Sequence, residues 1–200
     1  MKLKIQLPVT VSDIHQELIE RGVDGDNKAL SELYKLYSRA MFNVSIRILN
    51  SREDAEEALQ DAFTEAFMKL NTFRYESTFG SWLKRIVINR SINLAVKRKM
   101  VFLGEDQLKN IPTETEDSKD NDNIQYDVGR ILKAMESLPN GFRVVFSLYM
   151  IEGYDHEEIA GILNISESTS KSQLHRAKAK IKELILKETD NGNNGRVYQK

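Results

Sequence analysis

Residues 154–182 read YDHEEIAGILNISESTSKSQLHRAKAKIK, and this stretch decides the fold. Asp155 is a helix N-cap, and Glu158, three residues on, closes a capping-box pair. Ile159, Ile162 and Leu163 put the apolar side of that helix on a core. Asn164, Ile165 and Ser166 make a tight turn, and Ser166 caps a second helix starting at Glu167. On the second helix Leu174, Ala177, Ile181 and Leu184 recur at spacings of three and four, which gives one apolar stripe. Lys171, His175, Lys178 and Lys182 recur on another side. Thr169, Ser172, Gln173 and Arg176, near the helix start, are expected for the most part to point away from the stripe. A helix seated on a small core with hydroxyls, amides and cations outward suits a DNA major groove, where those groups read base edges and lysines neutralise phosphates. Basic charge alone would mean only a solvated amphipathic helix. The small residues Ala160 and Gly161, the short turn and the capped second helix favour a helix-turn-helix.

Working outward, 200 residues allow one ordinary domain or two small ones, and 40% apolar content is enough for packed cores. The chain has no Cys, which removes disulfides, thiol catalysis and Cys-based zinc sites. No apolar run is long enough to span a membrane. The start, MKLKIQLPVTVSD, lacks the apolar core and cleavage site of a signal peptide, so a cytoplasmic location is expected.

Net charge is −1, but the charges are segregated. Residues 53–65 hold six acidic side chains and no basic one, whereas 84–99 hold six basic and no acidic one. Residues 167–182 hold five basic and one acidic. Each block alone could be an ordinary solvated face; together they suggest separate partners for separate surfaces.

Strand signals are nearly absent and the periodicity is helical, so an all-α chain is expected. A helix starts at Ser12 or Asp13 and runs to about Arg21, followed by a break at residues 22–26. From 27 to 49, Leu30, Leu33, Tyr37, Met41, Val44 and Ile48 form one stripe. Ser51 caps the next helix, with Asp54 at the box position and Ala55, Leu59, Ala62, Phe63, Ala66, Phe67 and Leu70 as its stripe. The helix dipole accounts for Glu53 and Asp54 but less well for Asp61 and Glu65. The polar loop NTFRYEST, residues 71–78, carries Phe73 and Tyr75. A basic helix follows over 79–99, with Phe79, Trp82, Leu83 and Ile86 in the core and Lys84, Arg85, Asn89, Arg90 and Lys97 to Lys99 exposed. An aromatic-bearing polar loop leading into a basic helix suits single-stranded nucleic acid: aromatics stack bases, cations track the backbone, and the loop's amides and hydroxyls grip a flipped base. Phe79 and Trp82 read as core, while for Phe73 and Tyr75 core and stacking stand even.

Residues 104–123 hold seven acidic and two basic side chains with little to bury, and read as a linker. A second domain starts near Ile124. Asp127 caps a helix with Val128, Ile131, Leu132 and Met135 inside, and Pro139 ends it. An apolar helix over 142–151, closed by Gly153, underlies the helix-turn-helix. The tail beyond Glu188 reads as disordered.

The order of these parts resembles the extracytoplasmic-function sigma factors, the compact two-domain branch of the bacterial sigma-70 family. The resemblance rests on DAEEALQDAFTEAF at 54–67, FGSWLKRIVINRSIN at 79–93 and SLPNGFRVVFSLYMIEGYDHEEIAGILNIS at 137–166. It implies two small helical domains joined by a flexible acidic linker: 1–102, a linker over 103–123, a helix-turn-helix domain over 124–188, and a tail over 189–200. It implies that Asp54, Glu57, Gln60 and Asp61 contact the clamp helices of core RNA polymerase. Phe73, Tyr75, Ser77, Lys84, Arg85, Asn89 and Arg90 would recognise and open the −10 promoter element and capture a base of the non-template strand. Glu167, Ser168, Thr169, Lys171, Ser172, Gln173, His175, Arg176 and Lys178 would bind the −35 element as duplex. An anti-sigma factor is an expected further partner. RNA synthesis belongs to the polymerase, so no catalytic residue, metal or cofactor is expected.

The recognition helix departs from the family pattern twice. Ser168 stands where the family has Gly, and Ser170 stands where an apolar residue seats the helix, a loss of about 1 kcal/mol. Two other readings compete. A free-standing helix-turn-helix regulator binding a palindromic operator as a dimer explains the C-terminal half but gives the acidic and basic helices of the first half no task. An enzyme is disfavoured because His15, His156 and His175 are scattered, none at metal-ligand spacing, and there is no phosphate-binding glycine loop.

Overall fold

The computed structural model describes residues 11–98 and 128–194. Among them there is no strand, and the chain divides into two compact units, residues 1–94 and 95–200. The expected linker, the expected boundary at 102 and the Asp127 cap lie outside the described residues.

In the first unit α1 (Val11–Val23) packs on α2 (Asn27–Leu49), which packs on α3 (Arg52–Met68). A short 3-10 turn, Leu70–Thr72, leads to a loop and then α4 (Phe79–Lys97). The starts follow side-chain chemistry. Asp26 caps α2 by accepting from the amides of Lys28 and Ala29 while its carboxylate holds Arg21. Ser51 caps α3 by accepting from Asp54 N. α1 runs through Gly22, where a break was expected. A Cβ at Gly22 would lie 2.8 Å from Leu30 and 2.9 Å from Leu70, so glycine is there for close packing, not for a turn. Leu33, Met41, Val44 and Ile48 of the expected α2 stripe are buried, with Ala29, Ser45 and Leu49 beside them. Leu83, Val87, Ile88 and Ile92 of α4 complete this core.

In the second unit α5 (Val128–Glu136), α6 (Asn140–Phe146) and α7 (His156–Leu163) all pack on the long α8 (Glu167–Asn194). α6 is almost wholly buried and continues into a widened π turn, Ser147–Ile151, closed by Gly153 at φ +80°. The apolar run of 142–151 is therefore only partly core: Tyr149, Met150 and Ile151 are exposed. Val128 and Leu132, expected inside, are also exposed, because α5 turns Ala134 and the expected Met135 to the core. α8 stays helical to Asn194, past the expected start of a disordered tail.

Candidate nucleic-acid interface

The helix-turn-helix has the expected local construction. Asp155 accepts from Glu158 N at 2.8 Å while Glu158 accepts from Asp155 N at 3.0 Å, a complete capping box. Asn164 ends α7 in the left-handed region at φ 53°, and Ser166 Oγ accepts from Thr169 N at 3.0 Å to start α8. Ile159, Leu174, Ala177, Ile181 and Ile185 fill the space between.

The outward face of α8 is narrower than expected. Glu167, Ser168, Lys171, Ser172, His175 and Lys178 are exposed and Arg176 is half-buried. Thr169 is 3% exposed and Gln173 is fully buried, so neither is placed to read a base edge. The reason is helical spacing: 169, 173 and 177 lie on one row, and that row faces the core. Lys171 is paired with Glu167 at 2.9 Å on the exposed side.

The two departures at the helix start have a structural role. Ser170 is fully buried, and its Oγ lies 2.9 Å from Nδ1 of His156 on α7. The His156 ring stacks on Tyr149 at 4.5 Å between centroids. A polar seat stands where an apolar contact was expected. Burial, and then the charge of Lys171, hold His156 below its ordinary pKa, so the neutral ring is favoured. Ser168 joins a hydroxyl cluster with Ser166, Oγ to Oγ 2.8 Å.

In the first unit the loop after α3 is built on an aromatic cluster. Phe73 is 8% exposed, within 4.7 Å of the Tyr75 ring and 5.4 Å of Trp82, with Phe79 edge-on at 5.8 Å. Phe73 is therefore a core residue, not an open stacking surface. Tyr75 is half exposed at φ 58°, a left-handed conformation unusual for a bulky side chain. Thr78 ends the loop as the α4 cap, accepting from Ser81 N at 3.2 Å. Beside the loop lies an open cavity of about 420 Å³ lined by Arg74, Glu76, Ser77, Trp82 and Arg85 among others, large enough for a base. A second, of about 610 Å³, shares Phe73 and Ser77 and reaches the His15–Tyr37 hydrogen bond of 2.7 Å. Arg85 and Asn89 are exposed along α4, and Lys84 and Arg90 are half-buried.

On α3, Gln60 and Asp61 are exposed and Asp54 and Glu57 half-buried. Glu65, whose presence the dipole left unexplained, has internal partners: it accepts from Lys69 and from Arg90 of α4. The sequence reading missed this pair because it joins residues far apart in the chain.

The expected contact residues thus lie on α3, on the loop with α4, and at the start of α8, with Phe73, Thr169 and Gln173 buried and the others exposed or half-buried. No helix of the described residues is long and apolar enough to cross a membrane.

Residues 33–100 match the family model Sigma-70 region 2, and residues 129–181 match Sigma-70, region 4. The chain is 30% identical over 176 residues to the ECF RNA polymerase sigma-E factor of Escherichia coli, covering 83% of this chain and 91% of that one. It is 28% identical over 183 residues to the RNA polymerase sigma-H factor of Pseudomonas aeruginosa, covering 85% and 93%. Among solved structures, CnrH in complex with the cytosolic domain of CnrY aligns at TM-score 0.50 with 22% identity, over 86% of this chain and 97% of that one. The sigma factor RpoE in complex with the anti-sigma factor NepR from Bartonella quintana aligns at TM-score 0.50 with 22% identity, over 79% and 97%. These two bear on the fold alone. A region 2 match on the first unit favours a polymerase sigma factor over a free-standing operator-binding regulator, and the chain belongs to the extracytoplasmic-function sigma factors of the sigma-70 family.

Proposed function

We propose that this chain directs core RNA polymerase to its promoters by dividing the work among the three faces. The acidic row Asp54, Glu57, Gln60 and Asp61 docks on the polymerase. Tyr75, Ser77, Lys84, Arg85, Asn89 and Arg90 hold the melted −10 strand, with the cavity between Arg74, Trp82 and Arg85 taking an extruded base. Glu167, Ser168, Lys171, Ser172, His175, Arg176 and Lys178 meet the −35 duplex. Residues 1–102 form the first functional domain, 103–123 the linker, 124–188 the second domain and 189–200 a tail outside the −35 contact. The protein works in the cytoplasm, has no catalytic residue or cofactor of its own, and is held in check by an anti-sigma factor.

The observation that carries this reading is the separation of charge by helix. The acidic side chains of α3 and the cations of α4 and α8 serve different surfaces of one chain, which suits simultaneous binding of a protein and a nucleic acid.

The test is reconstitution. Purified chain is added to core polymerase with genomic DNA fragments from its own source, and transcript 5′ ends are sequenced. New starts sharing an upstream −10 and −35 pattern, absent with core alone, are expected. Absence of such starts, together with tight duplex binding by the chain alone, would overturn the reading.

A further inference from the structure

Arg90 sits on α4 among the proposed −10 contacts, and one carboxylate holds it in place. Glu65 Oε2 on α3 accepts from Arg90 Nε, while Glu65 Oε1 accepts from Lys69 Nζ at 2.6 Å. Both helices belong to the first unit. The Glu65 side chain is 21% exposed and that of Arg90 is 41% exposed. The bond engages Nε only. Among the described residues no hydrogen bond takes up Nη1 or Nη2, so the end of the guanidinium fork remains for another acceptor.

A partly exposed ion pair adds little to stability. What it does is remove rotamer freedom from a long side chain before any ligand arrives. An arginine fixed in advance loses less entropy when it binds, and its two terminal nitrogens match two oxygens of a phosphate. Arg90 and Glu65 line an open cavity of about 400 Å³ together with Asp61, Thr64, Met68 and Lys69. Glu65 itself is neutralised by two cations, which hold its carboxyl below the ordinary range. Its charge therefore opposes an approaching anion less than that of a lone carboxylate would.

We infer that Glu65 is a positioning residue for promoter opening: it anchors Arg90 through Nε so that Nη1 and Nη2 receive a backbone phosphate of the melted −10 strand. This rests on the proposed −10 face, and it adds that a residue of the acidic polymerase-docking helix sets the grip on DNA.

The probe is a fluorescent non-template oligonucleotide spanning the −10 segment recovered from the sequenced transcripts, bound to reconstituted holoenzyme. Arg90→Ala is expected to weaken binding about tenfold and to lower the salt slope by about 0.7, one phosphate contact on a single strand. Glu65→Gln is expected to weaken binding about threefold to fivefold with the salt slope kept, because the contact survives but is no longer prepared. Glu65→Asp, which keeps the charge, should recover part of that loss. The double variant should bind no more weakly than Arg90→Ala alone, while the affinity of Glu65→Gln for core polymerase and its melting temperature stay unchanged. The inference is overturned if Glu65→Gln binds as the natural chain does, binds more tightly, or weakens Arg90→Ala by its full factor again. If Arg90→Ala leaves both affinity and slope intact, it is the placing of Arg90 on the −10 face that fails, and the inference with it. The reading as a polymerase subunit fails separately, if no holoenzyme forms.

Discussion

The two nucleic-acid faces are braced in opposite ways. In the first unit a loop stands on aromatic rings, with Phe73 buried among Tyr75, Phe79 and Trp82. In the second unit a helix stands partly on polar groups, with Ser170 against His156 and Ser166 against the amide of Thr169. Apolar burial as such is non-directional and tolerates adjustment. Hydrogen bonds fix direction. The difference teaches that residues expected at a contact surface can lie beneath it: Phe73, Thr169 and Gln173 are buried.

The comparison predicts unequal costs of damage. Phe73→Ala should be the most severe, destabilising the first unit by about 3–5 kcal/mol, because a buried aromatic is replaced by a void. Thermal unfolding of residues 11–98 within the full chain, followed by Trp82 fluorescence, measures it. A change under about 1 kcal/mol would mean that the ring is dispensable and the loop is not built on it.

Ser170→Ala tests the polar seat. It leaves Nδ1 of half-buried His156 without its hydroxyl partner, and the expected loss is about 1–2 kcal/mol in the second unit. Ser170→Val in combination with His156→Leu should recover most of this by restoring an apolar seat. If the double change is as damaging as the single one, the seat is specified by something other than this pair. Ser166→Ala removes a cap and should cost about 1 kcal/mol, read as fraying at the start of α8 by amide exchange.

These pairs also mark how far the sequence could be read. Caps and turns were legible because their chemistry is local: Asp155 with Glu158, Ser51 with Asp54 N, and Ser166 with Thr169 N lie within three residues of each other. The apolar stripe of α8 was legible over Leu174, Ala177 and Ile181, but Ile185 is buried where Leu184 was expected, and positions 169 and 173 were misread. Residues 169 and 173 continue the same inward rows but carry polar side chains, so their type argued against their position. Glu65 with Arg90 and Ser45 with Ser91 were not legible at all, since each joins helices that only the packed core brings together. The core positions Val87 and Ile88 lay inside a helix whose hydrophobic residues are spread around its circumference, which weakens any periodic signal.

The smallest predicted effect separates the two braces by acidity. His156 in the folded chain titrates below its ordinary value of 6.5, first because of burial and then because of Lys171, with Lys178 adding and Glu167 and Asp155 opposing. At pH above about 6.5 the ring is neutral folded or unfolded, and its contribution is fully present. As pH falls through that value the unfolded chain takes up the proton first, so stability drops until the folded ring is protonated as well. A charged ring can only donate to Ser170 Oγ and meets the charge of Lys171 across the turn. Mild acid should therefore loosen the second unit through this ring, whereas the rings packed on Phe73 (Tyr75, Phe79 and Trp82) do not titrate in this range. The measurement is unit-resolved amide exchange between pH 7 and pH 5.5, corrected for intrinsic exchange, in the natural chain and in His156→Gln, which controls for His15 and His175. Equal acid sensitivity in the two chains would show that the seat of α8 does not depend on the charge of that ring, and the contrast between the two faces would then rest on geometry alone.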